Sequence, residues 1–428
     1  MSAAPNRRTI LKGLGFAAAT CPFAAHAAPQ RSETGSRAPV TDAPISGTTG
    51  LADRISPFGR NQAGIVTPRP ANGMIASFDV IAQSPADLED LFRRLTARIV
   101  ALTQGGPVPV LDPKLPPADS GLLGPELMPD ALTITVALGH SLFADRDWLA
   151  PLTPQRLQRM GQFPNDALVA ANCHGDLSLQ ICANTADTTI HALRDILKTL
   201  PDRLILCWKQ EGSVPVIPAR PDGRSESARN FLGFRDGSAN PDAGDAALMD
   251  ELVWIGGDEP EWAHGGSYQA VRIIRNFVER WDRTPLIEQE RVIGRTKMTG
   301  APLDAPDSDE SAAPDLAADP DGRLTDLEAH IRLANPRTAD TQRSLILRRP
   351  FNYSGGVTKS GQLEQGLLFI CYQSDLQQGF IAVQERLNGE PLEEYIKPVG
   401  GGYFVALPGI TDPADFLGSK LIGQLART

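Results

Sequence analysis

The order strand, helix, strand, strand, helix, strand can be read in the first half of this chain, and a similar alternation of strands and helices in the second. It predicts an α+β protein of two ferredoxin-like domains, each a split βαβ unit. Two observations carry the prediction: an amphipathic helix with a complete start signal near residue 85, and short alternating strands that frame it and recur in the second half.

The elements follow in order. Met74 to Ile81 reads as a strand. Ser84-Pro85-Ala-Asp87 then supplies an N-cap residue, a proline at the first helical position and an early acid. Behind it Leu88, Leu91, Phe92, Leu95, Ile99 and Leu102 recur at helical spacing, so 85–104 is predicted as a helix with one apolar face. Leu132-Thr-Ile-Thr-Val136 alternates as a half-buried strand does. A strand at 177–183, a helix at 188–199 and a strand at 204–209 complete the first unit. In the second half, 268–277 reads as a strand, 285–293 as a helix, 367–372 as a strand, 375–387 as a helix and 403–407 as a closing strand. No close sequence repeat links the halves, and duplicated architecture is the economical reading.

The domain organisation expected is a signal peptide over 1–27, a flexible linker over 28–55, one domain over 56–220 and a second over 221–428. Arg7-Arg8-Thr-Ile-Leu-Lys12, the small-residue run Leu14–Ala25 and the small-x-small site Ala25-His26-Ala27 resemble a twin-arginine export leader. That leader predicts a periplasmic protein with no membrane span once it is removed. Residues 303–322 hold Asp304, Asp307, Asp309, Glu310, Asp315, Asp319 and Asp321 with no basic residue, and read as an acidic surface insertion. A metal-binding loop is the sharper alternative there, but Ca²⁺-loop spacing and its central glycine are missing.

Composition removes several function classes. With 51 acidic and 41 basic residues the formal charge is −10, which argues against nucleic acid as the main partner. Of five cysteines, Cys21 lies in the leader and Cys173, Cys182, Cys207 and Cys371 remain, too few for a disulfide scaffold. Cys173 and Cys182 flank a strand, where a local bridge and two buried thiols both stay open. No H-E-x-x-H, C-x-x-C or G-x-S-x-G occurs, so zinc hydrolysis and serine catalysis lack support. The absence of C-x-x-C-H means that any haem is held without thioether links.

Two segments concentrate unusual chemistry. In Asn230-Phe-Leu-Gly233-Phe-Arg-Asp236-Gly237-Ser-Ala-Asn-Pro241, glycines bracket an aspartate within an apolar, aromatic stretch. Glycine lets backbone approach a flat ligand and present a carboxylate into a cavity. Asp-Gly is also a common turn pair, so the pattern alone leaves both readings open. The second segment is His330-Ile-Arg-Leu-Ala-Asn335-Pro336-Arg337, followed by Leu345-Ile-Leu-Arg348-Arg349-Pro350. A lone histidine is more often structural than a ligand. Here it lies between an acidic loop and a basic, partly apolar strand, surroundings that suit an iron-ligating imidazole with arginines near anionic groups.

With these residues in hand the chain resembles a dye-decolourising peroxidase, close to the exported deferrochelatase/peroxidase branch of iron-uptake systems. The resemblance is carried by G-x-x-D-G at Gly233–Gly237, by His330–Arg337 and by Leu347-Arg348-Arg349. Gly266-Ser-Tyr268, Trp281-Asp-Arg-Thr284, Gly300-Ala-Pro-Leu303 and Cys371-Tyr-Gln373 add to it, and it runs from about residue 55 to the C-terminus.

It implies non-covalent haem b in the C-terminal domain, with His330 as the iron ligand and Asp236 and Arg348 as catalytic groups on the peroxide side. Asn335, Pro336 and Arg337 would line the haem, with Gly237, Ser238 and Ala239 packed close to the porphyrin. A carboxylate is expected behind His330; Asp375 is the candidate, with Glu385 behind it. Pro350 departs from the expected glycine after the paired arginines. Trp254, Trp262 and Trp281 are candidate relays to bulky donors. The implied partners are hydrogen peroxide, an organic electron donor, haem and iron-uptake permease components, in a homodimer. Release of iron from haem is the alternative role that this branch implies. An aspartate base, with a reference pKa near ~3.9 against ~6.5 for histidine, predicts peroxidase activity that is best below neutral pH.

Overall fold

The computed structural model describes residues 50–110, 112–217 and 226–427. The leader, most of the linker and the expected domain join at 220/221 lie outside these residues. The strands are β1 (Asn72–Val80), β2 (Gly106–Pro107), β3 (Glu126–Leu127), β4 (Thr133–Gly139), β5 (Leu177–Ala183), β6 (Leu204–Ser213), β7 (Ser267–Asn276), β8 (Leu347–Arg348), β9 (Phe351–Val357), β10 (Leu363–Gln373) and β11 (Ile396–Ala406).

Two four-stranded antiparallel units emerge, β4-β5-β1-β6 and β11-β7-β10-β9, each with the strand order of a split βαβ fold. They join at both edges. Phe404–Ala406 of β11 pair with Ala137–Gly139 of β4, and Ser213 of β6 pairs with Asn352 of β9. The short β2–β3 hairpin stands apart. The α+β, twofold ferredoxin-like architecture is thus realised as one continuous sheet that closes on itself.

The helix Pro85–Gln104 forms as its sequence requires: Ser84 is extended and its side chain accepts from the Asp87 N–H. Its buried face, including Leu88, Leu91, Phe92, Leu95 and Ile99, packs with Met74, Ala76 and Phe78 of β1. The opposite face of β1 sends Ile75 into a second core with Ile273, Phe351, Leu368 and Ile370 from the other unit. Hence β4 and β5 are buried along their whole length, not half-buried as their alternation suggests. The polar residues of the alternating pattern face the space between the units. There Gln269 Nε2 donates to Tyr372 Oη at 2.7 Å, Tyr372 Oη donates to Gln180 Oε1 at 2.9 Å, and Gln180 Nε2 donates to the Gly64 carbonyl at 2.8 Å. A polar atom with a partner can be buried at little cost.

Two further expectations are refined, and the pairing of Cys173 with Cys182 that the sequence left open is resolved. The end of the linker is tethered, because Asp130 and Ala131 N–H groups donate to the carbonyls of Leu51 and Asp53. Cys173 and Cys182 are free thiols, so no bridge links them. The acidic insertion is more than a solvated surface. Asp319 is buried and accepts from the N–H groups of Arg323, Leu324 and Thr325, while Glu310 accepts from the Ser227 N–H at 2.7 Å. Among the described residues no cluster of three or more His, Cys, Asp or Glu side chains could hold a metal ion.

Candidate active site

A cleft of about 1520 Å³ opens on the second unit. Its walls are largely apolar, with Ile274, Leu367, Phe369, Phe380 and Leu387 contributed by the sheet and the surrounding helices and Leu232 by a loop. His330, Asp236 and Arg348 all line it.

His330 opens a single-turn helix, His330–Ala334, behind buried Ala329. Its Nδ1 lies 2.7 Å from Glu390 Oε2. The Glu390 side chain is only 3% exposed. A carboxylate accepts from the neutral imidazole, so Nδ1 carries the proton and Nε2 keeps its lone pair. Burial opposes charging of this ring, yet the charge and hydrogen bond of Glu390 outweigh it, and His330 titrates above the ordinary histidine range. Arg348 pulls in the opposite direction and Asp236 in the same one, so both groups lie within electrostatic reach of the ring.

Glu390 replaces Asp375 as the partner of His330. Asp375 instead pairs with Arg156 Nε at 2.6 Å and caps the Gln377 and Gln378 N–H groups. Glu385, on the helix Ala382–Leu387, makes no hydrogen bond to His330 either. Glu390 follows the left-handed Gly389 (φ 84°) and precedes the turn Pro391–Glu394, 60 residues beyond His330. Its sequence signal is confined to Gly-Glu-Pro, an ordinary turn composition.

The other pole is built from the loop Arg229–Asn240 and from β8. Arg348 Nη1 donates to Asp236 Oδ1 at 2.8 Å. Asp236 Oδ2 is buried and has no hydrogen-bond partner. Burying a carboxylate oxygen without a donor is costly, and native proteins keep such a group chiefly where it has chemistry to perform or a small molecule to meet. The loop is held from behind. Arg229 donates to the carbonyls of Gly233 and Met298, and the Asp236 N–H donates to Ala228 at 2.9 Å.

The remaining sequence candidates divide. Ala239, Asn335 and Arg337 line the cleft. Gly237, Ser238 and Pro336 are not among the residues that line it. A Cβ on Gly237 would meet Ser227 Cβ at 2.5 Å, so this glycine is required by neighbouring protein, and Ser238 Oγ reaches Glu310 at 3.4 Å. Gly233 needs its left-handed φ of 89°. Arg337 also holds a left-handed φ, 60°, in a turn where its N–H donates to Asn335 Oδ1 at 3.2 Å. Arg295 and Arg272 line the cleft as well, although no motif marks them in the sequence. Burial pushes Arg295 down to about 10, and it donates to the Gly300, Glu310 and Ala312 carbonyls. The three tryptophans proposed as relays are all buried: Trp254, Trp262 and Trp281.

The donor set fits a haem. An apolar slot carries one imidazole with its outer nitrogen free for iron, cationic side chains at Arg337 and Arg348, and a carboxylate with one unpartnered oxygen.

Comparison with known proteins agrees. Residues 62–213 match the family described as Dyp-type peroxidase, N-terminal, and residues 227–411 match Dyp-type peroxidase, C-terminal. A deferrochelatase of Escherichia coli O6:K15:H31 is 55% identical over 424 residues, covering 98% of this chain and 97% of that protein. A deferrochelatase of Shigella flexneri is 54% identical over 422 residues, again covering 98% and 97%. Among solved structures, a DyP-type peroxidase from Cellulomonas bogoriensis is 35% identical with a TM-score of 0.77, covering 87% of this chain and 99% of that one. Ferric DtpA from Streptomyces lividans is 30% identical with a TM-score of 0.79, covering 89% and 100%. Fold, cleft and sequence therefore converge: the chain belongs to the DyP-type peroxidases, a family of haem enzymes.

Proposed function

We propose that this protein reduces hydrogen peroxide at haem b in the cleft and oxidises an organic donor, with His330 holding the iron. The observation that carries the reading is the pairing of His330–Glu390 with Asp236–Arg348 on one apolar cleft. Bound haem would supply the two-electron redox chemistry between peroxide and the donor. Glu390 fixes the imidazole tautomer and makes His330 a stronger donor to iron. The unpartnered Oδ2 of Asp236 accepts a proton from one peroxide oxygen and returns it to the other, which leaves as water. Arg348 neutralises negative charge on the departing oxygen and holds Asp236 through Oδ1. Arg337, Asn335 and Ala239, which line the cleft, would help to hold the haem.

A second reading is favoured by the two deferrochelatase relatives, which match this chain nearly end to end. On that reading the cleft also releases iron from haem and leaves the porphyrin ring intact. The leader residues Arg7, Arg8 and Lys12 support twin-arginine export to the periplasm. A homodimer working with iron-uptake permease components is the setting that this branch of the family implies. Among the described residues no helix is long and apolar enough to cross a membrane.

The test is direct. The holoprotein receives one equivalent of peroxide, with the Soret band followed by stopped flow. A parallel sample with an iron chelator is analysed for free iron and metal-free porphyrin, with and without peroxide. A Soret band unmoved by peroxide rejects the peroxidase reading; absence of metal-free porphyrin in both arms rejects iron release.

A further inference from the structure

We propose that Asn240 is a positioning residue for the peroxide step, acting through Arg348; this rests on the peroxidase reading given above. Strand β8 is two residues long, and only one of its edges pairs with another strand, through Leu347–Tyr372 and Arg348–Cys371 of β10. The other edge exposes the N–H and C=O of Arg348. Both are taken by one side chain: the Arg348 N–H donates to Asn240 Oδ1 at 2.8 Å, and Asn240 Nδ2 donates to the Arg348 carbonyl at 3.1 Å. The carboxamide thus replaces a neighbouring strand for that residue.

Asn240 is also tied to the aspartate. Its own N–H donates to the Gly237 carbonyl at 3.0 Å, closing a turn directly after Asp236. With the Arg348–Asp236 contact of 2.8 Å, these bonds form a closed ring. Arg348 is held to the Asp236–Asn240 segment at its guanidinium and at its backbone. The carboxamide fixes where the Arg348 backbone sits, and the guanidinium then takes Asp236 Oδ1 and leaves Oδ2 without a hydrogen-bond partner.

Asn240 is exposed. Water can satisfy the Arg348 backbone when the carboxamide is removed, so stability changes little. Water does not fix the spacing between Arg348 and Asp236. Misplacement of a catalytic group by ~1 Å costs up to about 100-fold in rate.

The experiment uses holoenzyme and the second-order rate of its reaction with peroxide. Asn240→Ala slows that rate roughly 10- to 100-fold, while the Soret band, the melting temperature and the KM for the reducing donor stay at wild-type values. Asn240→Asp keeps the acceptor for the Arg348 N–H and recovers part of the rate. Arg348→Leu is slow alone, and adding Asn240→Ala to it changes the rate by less than about twofold, because the effect passes through the arginine. A wild-type rate in Asn240→Ala beside a slow Arg348→Leu overturns this inference alone. So does a full Asn240→Ala loss added on top of Arg348→Leu. A wild-type rate in Arg348→Leu overturns the assigned role of the arginine, and this inference with it.

Discussion

Replacing Glu390 by glutamine tests the proximal side with little change of shape. The amide oxygen can still accept the His330 Nδ1–H across the 2.7 Å contact, so ring orientation is kept and only the charge is removed. A hydrogen bond to a charged partner is worth roughly 1.5–3 kcal/mol, against about 0.5–1.5 kcal/mol for a neutral one. Glu390 is nearly fully buried, so solvent does not screen the difference. A loss of about 1.4 kcal/mol corresponds to about tenfold in haem affinity, at the low end of the ~10- to 100-fold seen for partners behind metal-bound histidines. If the carboxylate favours the ferric over the ferrous state by the same margin, the reduction potential rises by about 60 mV in the variant. Haem transfer to excess apomyoglobin measures the first quantity and a spectroelectrochemical titration the second. Unchanged haem loss and potential in Glu390→Gln, with both changed in Asp375→Asn, would refute the assignment of Glu390.

Asp236→Asn should keep haem and lower the second-order rate with peroxide by about 10²–10⁴; Arg348→Leu should lower it by about 10²–10³, both read by stopped flow at the Soret band. In the haem-free protein His330 holds its proton to higher pH than an ordinary imidazole. Iron needs the neutral ring, so haem binding expels that proton: affinity falls about tenfold per pH unit below the raised pKa and is level above it. A binding titration that stays flat into mild acid would contradict this. All five tyrosines are buried, and of the tryptophans only Trp148 is partly exposed. Small phenols that enter the cleft should therefore have a higher kcat/KM than bulky dyes, and a preference for bulky dyes in steady-state assays would show a surface route instead.

Local pattern was enough for the elements that depend on neighbours in sequence. The helix Pro85–Gln104 is bounded as its cap and apolar spacing require, and β5 spans Leu177–Ala183 as read. The pattern missed what depends on distant partners. Thr133 and Thr135 look solvent-facing because they are polar, yet both lie in the interior between the units. Thr135 meets an acceptor there, the Ala63 carbonyl at 2.7 Å, which lowers the cost of burying its hydroxyl, whereas Thr133 Oγ1 has no partner. Asp236, His330 and Arg348 were legible because glycines, an Asn-Pro turn and paired arginines mark them within family-length motifs. Glu390 carries no such mark, since only the fold brings it to His330.

The second unit holds the cleft, but the first unit helps to fix the arginine loop beside it. Arg349 Nη1 donates to the Thr67 carbonyl, and Arg69 Nη1 donates to the Pro350 carbonyl at 2.6 Å. The residues flanking Arg348 are thus anchored to a segment that precedes β1. This accounts for the proline at 350. A proline gives up its N–H and favours extended backbone in the residue before it. Arg349 is already engaged in the sheet, its N–H donating to Ile370 at 2.8 Å, and the one polar backbone group left on Pro350 is the carbonyl that Arg69 takes. The ring therefore stiffens the link between β8 and β9 while its carbonyl stays satisfied. Arg348 is consequently restrained by Asn240 on its own backbone and by Pro350 with Arg69 two residues on, a rigidity suited to its proposed role of meeting developing charge without rearranging.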